Sequence, residues 1–298
     1  MNPYIQSLRP RTLPLSVAGI ILGTGLAWRA YPQPLPEGKG VIFVLAILTT
    51  LSLQILSNLC NELGDAEKGT DEAQQGRAAY GLQTGAITKG QMKGMIWLFL
   101  GLCVVFGTAL IYSAFWKPTP TPSLQGGEPL TSTLVFFGLG ALAIIGAIKY
   151  TLGKHSYGYM GLGDLGVFLF FGLLSTMGAY YLQVQTMNWE VFWCGAAIGM
   201  PCVGVLNLNN IRDMQNDIQH GKRTFASWLG PKGARVYHFL LLLGCLAIFM
   251  VYGHYWVGAV VPIWAWHIRY VGTHVEKLDK QMPVLMFSTL LVAILALF

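Results

Sequence analysis

Long apolar runs alternate with short polar stretches along the whole chain, and most of the runs approach the ~20 residues an α-helix needs to cross a bilayer core. They predict helices at about Leu13 to Trp28, Val41 to Cys60, Gly94 to Phe115, Thr133 to Ile148, Val167 to Leu182, Val191 to Leu206, Val236 to Tyr252, Tyr255 to Ile268 around Pro262, and Val284 to Phe298. The expected fold is therefore an all-α polytopic membrane protein of about nine transmembrane helices, forming one integral domain over residues 1–298. Gly19 and Gly23 give the first run a small-xxx-small face suited to close helix packing. The Pro-, Gly- and Ser-rich stretch at 116–132 carries no periodicity and reads as a loop.

Two polar stretches interrupt the pattern in the same way. Asn58 to Arg77 reads NLCNELGDAEKGTDEAQQGR, and Asn207 to Thr224 reads NLNNIRDMQNDIQHGKRT; each opens Asn-Leu-X-Asn directly off an apolar run and places an Asp soon after. They follow the second and sixth expected helices, as an internal duplication would place them. Residues four apart share a helix face. Asn61 with Asp65, and Asn209 with Asp213 and Asp217, therefore form polar stripes running off the helix ends. Asp71 falls off that stripe, and a break at Gly64 or Gly69 would bring it back. Membrane loops are often charged, but a matched acidic pair at equivalent places points to one shared site.

Composition and charge narrow the reading. With 54% hydrophobic and 11% charged residues, against about 25% charged in ordinary domains, no soluble domain of any size is left over. The formal net charge of +6 has a topological origin. With the N-terminus cytoplasmic, all of the 19 Lys and Arg except Arg29, Lys39 and Lys117 fall in inner segments. That is the positive-inside pattern, so no nucleic-acid partner is needed to explain it. Both acidic stretches then face the cytoplasm, and the expected location is the cytoplasmic (inner) membrane. The five cysteines form no CxxC pair and the histidines no HExxH, which argues against a disulfide framework or a zinc site.

Clustered aspartates repel one another unless cations lie between them. Magnesium suits such a place, because it takes one or two carboxylates and completes its shell with water and substrate phosphate oxygens. Arg77, Lys149, Lys222 and Arg223 lie on the same side and close to the motifs in sequence. The expected substrate is anionic at one end and apolar at the other, as a polyprenyl diphosphate is, with its tail among the helices or in membrane lipid. Departure of the diphosphate would leave an allylic cation for an electron-rich aromatic carbon to attack.

These residues resemble the UbiA-type intramembrane aromatic prenyltransferases, which carry two Asp-rich motifs after helices two and six. The family's first motif usually runs NxxxDxxxD. Asn61 and Asp65 match it, whereas Gly69 stands in the third place and the next Asp is Asp71. NELGDAEKGTD is similar to the form in the branch that prenylates 1,4-dihydroxy-2-naphthoate in menaquinone synthesis. DMQND at Asp213 to Asp217 matches the second motif, and GKRT at Gly221 to Thr224 the segment after it. LRPRTLP near the N-terminus, GAIT at Gly85 to Thr88 and GLGD at Gly161 to Asp164 extend the similarity over essentially the whole chain.

The resemblance implies catalytic roles for Asp65, Asp71, Asp213 and Asp217, which with Asn61 and Asn209 would hold Mg2+ and diphosphate; Asn58 and Asn210 are secondary candidates. It implies phosphate contacts for Arg77, Lys149, Arg223 and Lys222, and a cation-stabilising aromatic face at Tyr150, with Tyr157 and Tyr159 nearby. Asp164, a lone acid opening an apolar helix, is a substrate-site candidate. Acceptors such as 4-hydroxybenzoate and homogentisate stay open, and a secondary transporter is the rival class, although its polar sites lie near mid-span. Nothing in the sequence specifies an oligomeric state.

Overall fold

The computed structural model describes residues 2–29, 37–70, 79–116 and 129–298, with the backbone alone at 275 and 276. A short helix α1 (Pro3–Ser7) precedes α2 (Leu13–Arg29), α3 (Lys39–Lys68), α4 (Lys89–Phe115), α5 (Pro129–Lys149), α6 (Gly163–Val184), α7 (Trp189–Arg212), the short α8 (Met214–Gln219), α9 (Phe225–Val251), α10 (Val261–Thr273) and α11 (Gln281–Leu295). Among the described residues the sole β pairing is one bridge between Met160 and Arg223.

Among the described residues eight helices are long and apolar enough to cross a membrane. The eighth expected span differs, because the chain takes a 3-10 turn at Tyr255–Val260 and then the 13-residue α10. Pro262 sits in the first turn of α10, where its fixed φ and missing N–H cost nothing. This segment still connects one end of the bundle, marked by the His254–Glu190 contact, to the other, marked by Arg212–Asp279.

Several helices outrun their apolar cores. Hydropathy measures the slab a helix crosses, whereas the backbone hydrogen-bond ladder continues wherever helix-compatible residues follow. Thus α3 carries Asn61 and Asp65 on its last turns, and α7 carries Asn209 and Asn210. Helices α4 and α9 begin at capping boxes, in which Thr88 and Thr224 accept from the backbone N–H of Gln91 and Ser227, each cap worth about 1 kcal/mol.

Helices α3, α4 and α5 form one group and α7, α9, α10 and α11 another, with α2 and α6 packed together between them. The small-residue face of α2 makes that central contact possible. A Cβ at Gly23 would run into the Thr176 carbonyl, and one at Gly19 into Ser175. A π-helical stretch, Phe168–Leu174, interrupts α6 where it packs on α7, and its Phe170 and Phe171 line an interior chamber.

Candidate active site where the two acidic loops meet

The ends of α3 and α7 arrive at the same end of the bundle and face one cavity of about 300 Å³. Asn61 and Asp65 line it from α3, Asn209 and Asn210 from α7, and Asp213 and Lys222 from the segment that follows. Backbone bonds from Asp213 N to Asn209 O and from Asp217 N to Asp213 O keep the four-residue repeat past the end of α7. The second stripe therefore survives the helix boundary.

Hydrogen bonds stitch three loops into one rim. Asn216 Nδ2 donates to Thr70 O at 2.8 Å, joining the two acidic stretches. Arg223 N donates to Tyr159 O at 3.1 Å, joining the second stretch to the loop after α5. The Tyr159 hydroxyl donates to Asp65 Oδ1 at 2.8 Å and lies 2.7 Å from Thr70 Oγ1. Lys68 Nζ stands 3.7 Å above the Tyr159 ring and Lys222 Nζ 5.6 Å from it, so this phenol sits between the cations and the carboxylate. Burial and the Asp65 charge both push the Tyr159 hydroxyl well above the ordinary tyrosine range, which keeps it a proton donor.

Gly64 has a different role from the expected one. Helix α3 runs straight through it, and a Cβ there would lie 2.9 Å from the Thr151 backbone. The close approach lets Thr151 Oγ1 bond both Cys60 O at 3.0 Å and Asn61 Oδ1 at 2.9 Å, which fixes the Asn61 amide. The break comes at Gly69, in the left-handed conformation at φ 72°.

Each acid of the second stretch has a cationic partner. Arg212 grips both oxygens of Asp213, at 2.7 and 2.6 Å, and reaches Asp279 at 2.8 Å. Lys222 Nζ lies 3.1 Å from Asp217 Oδ2, and Asp217 is fully buried. Burial pushes the Asp217 carboxyl above the usual carboxylate range; Lys222 opposes the shift and Asp213 and Asp65 reinforce it. We expect Lys222→Met to cost about 3 kcal/mol by stranding this carboxylate. A raised folded-state pKa makes stability fall as pH rises through the interval between the unfolded and folded values, and loss of Lys222 extends that interval upward. The drop in thermal midpoint is therefore expected to be larger at pH 8 than at pH 5, and an equal drop at both would refute the pairing.

Beyond the polar cavity lies an apolar chamber of about 330 Å³ that shares Asn61, Tyr150, Leu206 and Asn209 with it and reaches Ile20, Ala46 and Leu182. A wider groove of about 890 Å³ runs between α5 and α6 and shares Phe136, Leu139 and Phe170 with the chamber. Polar headgroup, apolar interior and bundle flank are thus connected.

The expected site residues divide accordingly. Asn61, Asp65, Asn209, Asn210, Asp213, Lys222 and Tyr150 line the polar cavity, while Asp217 stands behind Lys222 as its counter-ion. Asp71 and Arg77 lie outside the described residues. Four candidates sit elsewhere. Asn58 spends its amide on Leu8 O and Thr12 Oγ1, at 2.9 and 3.1 Å. Lys149 is exposed and borders the α5–α6 groove; Arg223 is exposed and engages Tyr159 through its backbone. Asp164 is buried against the Tyr237 hydroxyl and lines neither cavity. Sequence reasoning treated Arg212 and Arg9 as topology signals, although both line the polar cavity, and it missed Tyr80 and Thr151 there. The available signals were the LRPRTLP resemblance around Arg9 and the Arg212-Asp213 adjacency.

Among the described residues no three acidic, histidine or cysteine side chains converge closely enough to hold a metal by themselves. Asp65 and Asp213, with the Asn61 and Asn209 amides, instead present hard oxygens around an open cavity. That donor set fits Mg2+ sharing its shell with phosphate oxygens and water, and does not fit a closed all-protein cage. Comparison with known proteins gives the same fold. Residues 16–295 match the model of the UbiA prenyltransferase family. The chain belongs to that family. It is 40% identical to the 1,4-dihydroxy-2-naphthoate octaprenyltransferase of Escherichia coli over 88% of this chain and 79% of that protein. With the Haemophilus influenzae protein of the same description it shares 39%, over 81% and 74%. Among solved structures, a UbiA homolog from Aeropyrum pernix superposes with a TM-score of 0.61 at 16% identity, covering 98% of this chain and 96% of that one. A UbiA homolog from Archaeoglobus fulgidus bound to GPP and Mg2+ gives 0.61 at 13%, covering 99% of each. The family fold thus extends over nearly the whole chain.

Proposed function

We propose that this protein transfers a polyprenyl group from its diphosphate to 1,4-dihydroxy-2-naphthoate, with loss of CO2, giving demethylmenaquinone in its reduced form. One observation carries the reading: the carboxylates of both acidic stretches meet at a cavity that opens directly into an apolar chamber. The naphthoate acceptor is supported by the two bacterial relatives named above, and Mg2+ by the oxygen donor set and by the archaeal homolog's ligands. The positive-inside distribution supports a site facing the cytoplasm from the inner membrane.

Asp65, Asp213, Asn61 and Asn209 would hold the metal, with Asp71 and Asp217 as the outer acids of the two motifs. Bound Mg2+ would supply positive charge to the departing diphosphate. Lys222 adds a fixed cation at the same wall, while the apolar chamber aligns the first isoprene units and excludes water. Tyr150 lines both cavities at their junction. There its ring, edge-on to Tyr157 with centroids 5.3 Å apart, would stabilise the allylic charge as it develops. The C1–O bond breaks with its electron pair going to diphosphate, and an aromatic carbon supplies the pair for the new C–C bond. Departure of the carboxylate as CO2 returns its bond electrons to the ring, so no strong base is required at this wall.

The test is turnover by purified protein in liposomes with a polyprenyl diphosphate, 1,4-dihydroxy-2-naphthoate and Mg2+, with products identified by mass spectrometry. We expect a prenylated naphthalenediol and released CO2, both abolished by EDTA and restored by added Mg2+. Product formation indifferent to chelator would refute the metal assignment. A product from 4-hydroxybenzoate or homogentisate, with none from the naphthoate, would replace the acceptor.

A further inference from the structure

The scheme above leaves the conformation and surroundings of Arg9 unexplained. It adopts a left-handed backbone, φ 51° and ψ 60°, which for a non-glycine residue costs roughly 1 kcal/mol or more. The neighbouring chain holds it there. Thr12 donates to Arg9 O through both its N–H and its hydroxyl, each at 2.9 Å. Asn58 clamps the residues on either side, Leu8 and Thr12, and is itself oriented by Gln54 at 3.0 Å. Asn58 is thus accounted for as a positioning residue.

This framework delivers a guanidinium with unused donors. Arg9 Nε and Nη2 are buried and have no hydrogen-bond partner among the described residues. The Arg9 guanidinium carbon lies 4.3 Å from the centroid of the Tyr80 ring. The ring's segment is tied down by Gln6 Nε2 to Ala79 O at 2.9 Å and by Leu82 N to the buried Glu62 Oε1 at 2.9 Å. A buried donor left unsatisfied costs about 1–3 kcal/mol, and more for a charged group, so the arrangement calls for an anionic ligand.

Position selects among anions. Asp65, Asp213 and Lys222 line the polar cavity alone, whereas Arg9 lines both that cavity and the apolar chamber. With Asn61, Asn209 and Tyr150 it stands at the junction of the two spaces, where the aromatic ring would meet the prenyl C1, and among the described residues it is the one charged side chain that lines both. We propose that Arg9 binds the carboxylate of the aromatic acid, its planar fork pairing with the two oxygens while Tyr80 holds it flat. This assigns a substrate-binding and specificity-determining role to Arg9, and it rests on the prenyl-transfer reading above.

The experiment compares wild-type, R9Q and R9K full-length protein, with thermal midpoints measured alongside, on 1,4-dihydroxy-2-naphthoate and on its carboxylate-free counterpart 1,4-naphthalenediol. R9Q is expected to raise KM for the acid about tenfold or more, leaving KM for the polyprenyl diphosphate and the inhibition constant of the diol, used as a competing ligand, unchanged. R9K is expected to recover only part of the loss, because an ammonium keeps the charge and not the fork. Equal losses on acid and diol, or a raised diphosphate KM, would overturn the assignment. Should the wild type use a different aromatic acid, the acceptor named above fails, and Arg9 is judged on that acid against its carboxylate-free phenol. Binding of the fluorescent 1-hydroxy-2-naphthoate without diphosphate gives a readout independent of turnover: weaker binding by R9Q supports the role, and equal or absent binding by both proteins refutes it.

Discussion

Asp65→Asn is expected to lower kcat/KM by about 1,000-fold, the scale of losing a preorganised electrostatic contact at a reacting centre. The substitution keeps the size of the side chain and its place on the last turns of α3, but replaces a charged oxygen with an amide at the wall of the polar cavity. It also weakens the 2.8 Å bond from the Tyr159 hydroxyl, which no longer meets a carboxylate. Because α3 is apolar over most of its length and an amide oxygen can still accept from the Tyr159 hydroxyl, the variant should insert and keep a thermal midpoint close to that of the wild type. Steady-state kinetics on protein with an unchanged thermal midpoint is the measurement. Activity within tenfold of wild type would remove Asp65 from the metal set.

Gly23→Leu is the corresponding expectation for stability. The side chain would enter the space occupied by the Thr176 carbonyl, and backbone cannot rotate away as a side chain can. Overpacking of this kind costs about 3 kcal/mol. Separation of α2 from α6 would also open the wall formed by Ile20 and Ala179 around the apolar chamber. The result should be little monodisperse protein on size-exclusion chromatography in detergent. A Gly23→Leu protein as stable as wild type would show that the α2–α6 contact is looser than described.

Much of this was legible in the sequence, for physical reasons. Apolar length reports membrane crossing, so the spans stand out; the four-residue repeat of Asn209, Asp213 and Asp217 reports a helical face, and the structure keeps it. Other features have no one-dimensional trace. The end of α3 lies beyond its apolar run because hydropathy marks the slab crossed and not the end of the backbone ladder, and Asn61 and Asp65 weaken a helix by only a few tenths of a kcal/mol relative to leucine. Gly64 looks like a breaker until Thr151, distant in sequence, occupies the space that a side chain would take. Arg9 and Arg212 belong to the positive-inside pattern, and a topology signal and a site residue are the same letter. Arg223, in the GKRT motif, and Lys149, a phosphate-contact candidate, show the reverse: their side chains lie outside the polar cavity. Asp164 behaves as a buried partner of Tyr237, which a lone acid in an apolar helix does not reveal.

The groove between α5 and α6 bears on how the proposed donor is counted. Its lining is almost wholly apolar and it joins the interior chamber at Phe136, Leu139 and Phe170. A polyprenyl chain reaching the acids by that route never leaves the bilayer, so its effective concentration is its mole fraction among lipids. Diluting the membrane with inert lipid then starves the enzyme as surely as withholding substrate, although nothing in the surrounding water has changed.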